Sequence, residues 1–194
     1  MNPTRGNGLL EAYFASQRRK KAEKIIPDSA RKGRILDVGC GAYPVFLSAT
    51  NFSEKYGVDK HVSSNQNLPG IQIKASDVEE QPLPFDDGYF DAVTMLAVIE
   101  HIKPERVPEV LKEVRRVLKQ GGTLVVTTPA PWTRIPLNLM AKIRLVSREE
   151  IHEHTAYYTT TSIRTQLADA GFDKKTVHAG YFKIFMNIWA SAIK

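Results

Sequence analysis

The sequence predicts an α/β fold, Rossmann-like and doubly wound, with a mostly parallel seven-stranded sheet and an antiparallel C-terminal hairpin. Three observations carry this expectation. Short apolar runs alternate with helical stretches from Arg34 to Thr128, the pattern of a parallel sheet covered by helices. The first run ends in Gly39-Cys40-Gly41, a turn that lets a ligand approach backbone at a strand end. Between Val107 and Leu118 the apolar residues fall on one helical stripe, a period no strand has.

The elements follow in order. Leu9, Leu10, Tyr13 and Phe14, then Ile25 and Ile26, suggest an amphipathic helix broken at Pro27. Pro27 to Gly33 reads as a linker. Arg34 to Val38 is a short apolar run and reads as a buried first strand. Pro44 stands where a helix can begin. Lys55 to Val58 forms a second strand ending at Asp59, and Ile71 to Ile73 a third. Phe90 to Leu96 is the fourth. The helix of Val107, Val110, Leu111, Val114, Val117 and Leu118 follows, with Gly121-Gly122 as its stop. Thr123 to Thr128 is a β-branched fifth strand, ended by Pro129 and Pro131. Pro131 to His154 is less regular, and Ser147 with Glu150 can form a capping box there. Ser162 to Ala170 reads as a helix stopped by Gly171. Asp173 to His178 and Phe182 to Ile193 read as two strands joined at Ala179-Gly180.

The chain has 194 residues and is 42% hydrophobic, enough for one domain with a core. Residues 1–194 therefore read as a single domain, with 1–33 an N-terminal helix and linker and 129–160 an insertion. No apolar run approaches the roughly 20 residues of a membrane span. Met1 to Gly8 lacks the apolar centre of a signal peptide. Cys40 is the only cysteine, so no internal disulfide forms and the cytoplasm is the default expectation. The formal net charge is +6, with a basic run Arg18-Arg19-Lys20-Lys21. The run reads first as the solvated face of the N-terminal helix. An anionic membrane surface, nucleic acid or an acidic substrate compete with that reading. No zinc-finger spacing, RNP-like aromatic motif or arginine-rich tail speaks for nucleic acid.

In such folds ligands bind beyond the carboxyl ends of the strands, so the strand ends carry the chemistry. The first ends Leu36-Asp37-Val38-Gly39-Cys40-Gly41. The second ends at Asp59, 22 positions after Asp37; an acid there can take both hydroxyls of a ribose. Ser76-Asp77-Val78 follows the third, where a carboxylate can accept from an adenine amino group. Glu100-His101 follows the fourth.

These residues together resemble the class I S-adenosylmethionine-dependent methyltransferases. Ile35-Leu36-Asp37-Val38-Gly39-Cys40-Gly41 resembles their first motif, Tyr56-Gly57-Val58-Asp59 their second-strand end and Ser76-Asp77 their adenine position. Phe85 to Val93 and Val98-Ile99-Glu100-His101-Ile102 are similar to the fourth-strand motif of the type 11 methyltransferase domain subfamily. So are Leu118 to Leu124 and Ala170-Gly171-Phe172. The resemblance covers residues 34 to 178. It implies S-adenosylmethionine as cofactor and S-adenosylhomocysteine as product. By the same resemblance, Gly39, Cys40 and Gly41 line the methionine part through backbone atoms, and Asp37 orients that loop. Asp59 binds the ribose with Lys60 beside it, Asp77 and Val78 hold the adenine, and the carbonyl of Leu96 meets the cofactor amino group. His101 sits over the reaction side as the candidate catalytic residue. The sequence departs from the family in one place: the third glycine that often follows Gly41 by two positions is Tyr43, with Pro44 next.

Each residue has a plainer reading taken singly. Gly39 and Gly41 can be turn glycines, Asp59 a turn aspartate, Asp77 a helix cap and His101 a packed histidine. Their order on successive strand ends is what favours the cofactor site. Cys40 stands near a helix start, which lowers thiol pKa, but no base accompanies it and it reads as packing. His152 and His154 with Glu150 and Glu153 suggest a metal, yet residues two apart do not share a helix face; no metal site is expected.

The acceptor is expected under Ala130 to Tyr158 and the N-terminal helix, so 129–160 reads as an acceptor-binding insertion. Trp132, Ile135, Leu137, Leu139 and Met140 give it an apolar wall, with Tyr157 and Tyr158 either lining the pocket or covering the sheet. A small-molecule, lipid-linked or sugar acceptor is expected, with no nucleic-acid partner. A hydroxyl acceptor would call for a base, His101 or His154. The sequence leaves the oligomeric state open. A nicotinamide-dependent oxidoreductase shares the fold, but its G-x-G-x-x-G would need glycine where Pro44 stands. A non-catalytic cofactor-binding module is also compatible with these residues. An aminopropyl transferase shares the fold as well, but usually wants more acids after the fourth strand than Glu100.

Overall fold

The structure, a computed structural model, describes residues 11–62, 66–133, 156–183 and 186–194. In chain order these form helix α1 (Glu11–Ile25), strand β1 (Arg34–Val38), helix α2 (Val45–Ala49) and strands β2 (Glu54–Asp59), β3 (Gln66–Leu68), β4 (Ile71–Ala75) and β5 (Phe90–Leu96). Helix α3 (Val107–Val117), strand β6 (Leu118–Pro129), helix α4 (Thr160–Asp169) and strands β7 (His178–Phe182) and β8 (Asn187–Ile193) complete them. Short 3-10 turns occupy Asp28–Lys32, Ile99–His101 and Pro131–Thr133.

The strands make one sheet in the order β3-β4-β2-β1-β5-β6-β8-β7. β4, β2, β1, β5 and β6 are parallel; β3, β8 and β7 are antiparallel to their neighbours. The chain winds outward from β1 through β2 to β4, then returns to β5 on the other side of β1. The strand order therefore reverses between β1 and β5, and the crevice for a ligand opens beyond their carboxyl ends.

Alternating side chains fill both faces of the sheet, as the two-residue strand period requires. Leu36, Val93, Leu124 and Val126 pack with Val110, Leu111 and Val114 of α3 and with Ile163 and Leu167 of α4. Ile35, Ala92 and Val125 face the other way, onto Ala22 of α1 and Ile26 beyond it. Thr159 caps α4: its hydroxyl accepts from the Ser162 amide at 3.0 Å, and the Ser162 hydroxyl accepts from the Thr159 amide at 2.8 Å.

The five expected parallel strands and an antiparallel C-terminal hairpin are present, and three details differ. The three-residue β3 adds an eighth strand on the edge beside β4. Gly121-Gly122 does not stop a helix but lies within β6. There the Gly121 amide donates to the Lys194 carbonyl at 2.8 Å, and the Lys194 amide donates to Gly122 at 3.1 Å. The C-terminal hairpin turns later than expected. Asp173 makes a side-chain turn with the Lys175 amide at 2.9 Å, while Ala179 and Gly180 lie inside β7. Gly180 belongs there because the Trp189 indole of β8 comes within 2.9 Å of where its Cβ would be. The expected linker contains the 3-10 turn at Asp28–Lys32, and Pro44 is the N-cap of α2. Ser147, Glu150, Leu9 and Leu10 lie outside the described residues.

Candidate functional site

Beyond β1 the backbone enters the left-handed region twice, with φ +74° at Gly39 and +70° at Gly41, where a side chain adds strain. The turn folds onto β2. The amides of Gly39 and Cys40 both donate to the Val58 carbonyl, at 2.8 and 3.2 Å. The Gly41 amide donates to Asp59 Oδ2 at 2.9 Å, and the His61 amide to Oδ1 at 2.8 Å. A Cβ on Gly39 would stand 2.4 Å from Val98 Cγ2, whereas one on Gly41 would meet nothing nearer than 4.0 Å. Gly39 thus lets the turn press against the segment after β5, and Gly41 presents bare backbone.

Asp37 is 5% exposed. It pairs in register with Thr94 of β5, whose hydroxyl donates to Asp37 Oδ1 at 2.6 Å. Burial pushes the Asp37 carboxyl up to about 7, against the Thr94 hydrogen bond and with a further push from the Asp59 charge. Cys40 is also buried, its sulfur lodged against Gly57. Burial first, then the charges of Asp37 and Asp59, hold its thiol above the ordinary range. The activating effect of a nearby helix start does not apply, because α2 begins only at Val45. Cys40 is a packing residue.

On the neighbouring strand, Ala75 pairs with Asp59, and the Ser76 amide donates to the Asp59 carbonyl at 3.3 Å. Asp77 Oδ1 accepts from the Glu79 amide at 3.0 Å, and Val78 packs on the core. Glu79, which no sequence motif marks, is buried and ties this loop to the one after β5. Its Oε1 accepts from the Lys103 amide at 2.8 Å, and its carbonyl accepts from the Arg106 guanidinium. Lys60 reaches Glu79 Oε2 at 3.9 Å. Lys60 therefore leans toward Glu79.

β5 ends at the half-buried Leu96, which follows the Val38–Met95 pair and so stands beside Gly39. Ala97 has φ +61° and donates its amide to the Thr127 carbonyl at 2.9 Å. A positive φ on alanine is uncommon and clusters at working sites; here it turns the chain so that Val98 meets Gly39. His101 closes the following 3-10 turn, half-buried, with its amide on the Val98 carbonyl at 2.9 Å. Glu100 is 1% exposed, and its carbonyl accepts from the Ala156 amide at 3.4 Å. Burial, then the Glu100 charge, pushes the Tyr158 hydroxyl up to about 12. Tyr158 is core cover for the sheet.

Asp37, Gly39, Cys40, Gly41 and Asp59 are thus one connected unit across β1, β2 and β5. Asp77 and Val78 lie on the adjoining loop, and Leu96 and His101 lie on the segment across from it. His152, His154, Glu150, Glu153, Ile135, Leu137, Leu139 and Met140 lie outside the described residues. Among the described residues no cluster of His, Cys, Asp and Glu could hold a metal ion.

A methyltransferase-domain family model matches residues 11–177. The chain is 28% identical over 180 residues to a sarcosine/dimethylglycine N-methyltransferase of Halorhodospira halochloris, across 86% of this chain and 62% of that protein. It is 30% identical over 129 residues to a tRNA N(3)-cytidine methyltransferase of Gallus gallus, across 58% of this chain and 34% of that one. The chain therefore spans less than two thirds of the length of these relatives. Its fold matches the crystal structure of a SAM-dependent methyltransferase from Archaeoglobus fulgidus with a TM-score of 0.68 at 20% identity, over 96% of this chain and 98% of that one.

Proposed function

The chain belongs to the methyltransferase-domain family, as a class I, S-adenosylmethionine-dependent member, and from that premise we propose that it methylates a small-molecule, lipid-linked or sugar acceptor. The observation that carries the site is the hydrogen bond from Gly41 to Asp59. It sets open backbone beside a buried carboxylate at the switch point of the sheet. Each oxygen of a carboxylate can accept more than one hydrogen bond. The two oxygens that hold the Gly41 and His61 amides can therefore also accept from the two hydroxyls of a ribose.

The residues fit the cofactor in this way. Asp59 holds the ribose, with Lys60 at its edge. Gly39, Cys40 and Gly41 lie along the methionine part through their backbone. Asp37, fixed by Thr94, orients that turn. Asp77 and Val78 hold the adenine, and the Leu96 carbonyl receives the cofactor ammonium. The cofactor supplies a methyl carbon already activated by its sulfonium. What remains for the protein is to hold the acceptor in line and exclude water, which is proximity and orientation. His101 takes the proton when the acceptor is a hydroxyl. Residues 129–160 form the acceptor side, and 1–194 act as one domain, with 1–33 as helix and linker.

The test is thermal unfolding with S-adenosylmethionine, S-adenosylhomocysteine, NAD and NADP separately. A ligand at about 100 times its dissociation constant adds roughly 2.7 kcal/mol, a rise of about 5–10 °C here. A rise with the first two only is the expected result. A rise with a nicotinamide alone would replace this reading by the oxidoreductase one.

A further inference from the structure

Helix α1 climbs antiparallel to β5 and β6. Its lower end leads through the turn Asp28–Lys32 to Arg34, whose amide donates to Asp91 Oδ2 at 2.8 Å, at the start of β5. Four residues above that end, Lys21 Nζ lies 4.1 Å over the Trp189 ring, and Trp189 pairs with Thr127 near the end of β6. The half of α1 that precedes Lys21 therefore stands at and beyond the carboxyl ends of the strands, beside the site.

The same end of the molecule gathers exposed aromatic rings. Five large hydrophobic residues are exposed among the described ones: Tyr13, Tyr43, Leu68, Trp132 and Ile193. The three aromatics among them are Tyr13 on upper α1, Tyr43 just past β1 and Trp132 just past β6, exposed by 51%, 56% and 47%. Tyr43 and Trp132 thus follow the ends of the parallel strands on either side of β5, and Tyr13 lies on the part of α1 that extends beyond Lys21.

Among the described residues the charge at that end is also one-sided. The α1 sequence holds five bases and two acids, so half of the +6 of the chain rides on one helix. Lys20 and Lys24 are exposed one turn apart, a like-charge spacing that destabilises a helix. Burial, then the Lys24 charge, depresses the Lys21 ammonium. Lys103, and Lys183 in the β7–β8 turn, add exposed charge at the same end. The carboxylates Asp37, Asp59, Glu79 and Glu100 there are buried. Among the described residues the exposed acids nearby are Glu80 and Glu105, fewer than the lysines.

The two arginines of α1 are engaged within the molecule. Arg19 pairs with Glu23 at 2.9 Å, and Arg18 is also partnered. The charge that α1 offers outward is lysine, a mobile point charge suited to a diffuse anionic surface rather than to forked recognition of single phosphates. Interfacial aromatic rings with surrounding lysines are the means by which proteins settle on a bilayer. No described helix is long and apolar enough to cross one.

We propose that this end docks on a bilayer surface rich in anionic headgroups, with Lys20, Lys103 and Lys183 supplying attraction and Tyr13 and Trp132 anchoring, so that the site opens onto the membrane. The acceptor is then membrane-borne and lipid-linked; this last step rests on the methyl-transfer reading.

The test is flotation of the protein with vesicles of phosphatidylcholine alone and with one third phosphatidylglycerol, at about 0.05 and 0.5 M salt. The expected result is binding to the mixed vesicles at low salt, release at high salt and no binding to phosphatidylcholine alone. The variant K20A/K183A should bind on the order of 20-fold more weakly, and Y13S/W132S several-fold more weakly. Both should keep the S-adenosylhomocysteine thermal shift, which reports folding and cofactor binding. Equal binding to both vesicle types, or tight binding of a single-stranded RNA without vesicle binding, would overturn the docking surface. Vesicle binding with no cofactor shift would leave the surface standing and remove the methyl-transfer reading. A cofactor shift with no vesicle binding would do the reverse.

Discussion

The amide of Gly41 and Oδ2 of Asp59 are 2.9 Å apart, so the turn that ends β1 takes its shape from the acid that ends β2. The carboxylate proposed for the ribose is also the fastener of the loop proposed for the methionine part. Cofactor binding and local order are therefore coupled through one side chain.

Asp59→Ala should lose both. Two charge-assisted bonds to a ribose, at roughly 1.5–3 kcal/mol each and not additive, give a loss of affinity for S-adenosylhomocysteine of at least tenfold. Freeing the Gly41 and His61 amides should cost a further ~1 kcal/mol of stability. Titration calorimetry reads the first and urea unfolding the second. Unchanged affinity in the calorimeter would remove Asp59 from the site.

Asp37→Asn should stabilise the ligand-free protein, and increasingly so as pH rises. The folded-state carboxyl titrates at about 7, above the unfolded value of about 3.9. Well below pH 4 both states hold the proton and nothing is lost. Between the two values the unfolded chain releases it while the folded chain keeps it, so stability falls as pH rises through that window and is level above it. Asparagine removes the ionisation and keeps an oxygen for Thr94. The advantage of the variant should grow by about 2–3 kcal/mol between pH 5 and pH 8. Equal curves at both pH values would mean that Asp37 ionises as it does in the unfolded chain.

Much of this site is legible in the sequence because strand ends are punctuated. The runs ending at Val38, Asp59 and Leu96 stop at glycine, acid or turn residues, and a parallel sheet brings such ends together. Thr94 and Glu79 are harder to see. Thr94 sits inside an apolar run, and only the register of β1 on β5 sets it opposite Asp37. Glu79 acts through partners at Lys103 and Arg106 that are distant in sequence. The hairpin turn is hidden for a packing reason: Ala179-Gly180 has the composition of a turn, yet the glycine is there to admit the Trp189 ring. β3 has three residues, too few for any period.

His101→Ala should separate chemistry from cofactor binding. If the acceptor is a hydroxyl, loss of its general base slows turnover by about 10²–10⁴-fold. The affinity for S-adenosylhomocysteine should stay within about threefold, a difference under ~1 kcal/mol. Radiolabelled methyl transfer to acceptor extracts gives the rate, and calorimetry gives the affinity. Equal turnover by both proteins would take His101 off the reaction side.

Gly39→Ala and Gly41→Ala should differ, although both glycines have positive φ. Each incurs the strain of a side chain in the left-handed region, ~1 kcal/mol. Only at position 39 does the new Cβ also collide, at 2.4 Å from Val98 Cγ2; overpacking of this kind adds about 1–3 kcal/mol. Gly41→Ala should therefore fold nearly as well as the parent, and Gly39→Ala distinctly less well. Val98→Ala removes the colliding methyls. In the pair Gly39→Ala with Val98→Ala the collision disappears and the strain remains, so the double variant should be more stable than the sum of the single losses by about 1–2 kcal/mol. Urea midpoints of the four proteins complete the cycle. A sum that is merely additive would mean that the turn relaxes away from Val98, and that the contact between the first glycine and the segment after β5 does not hold the loop in place.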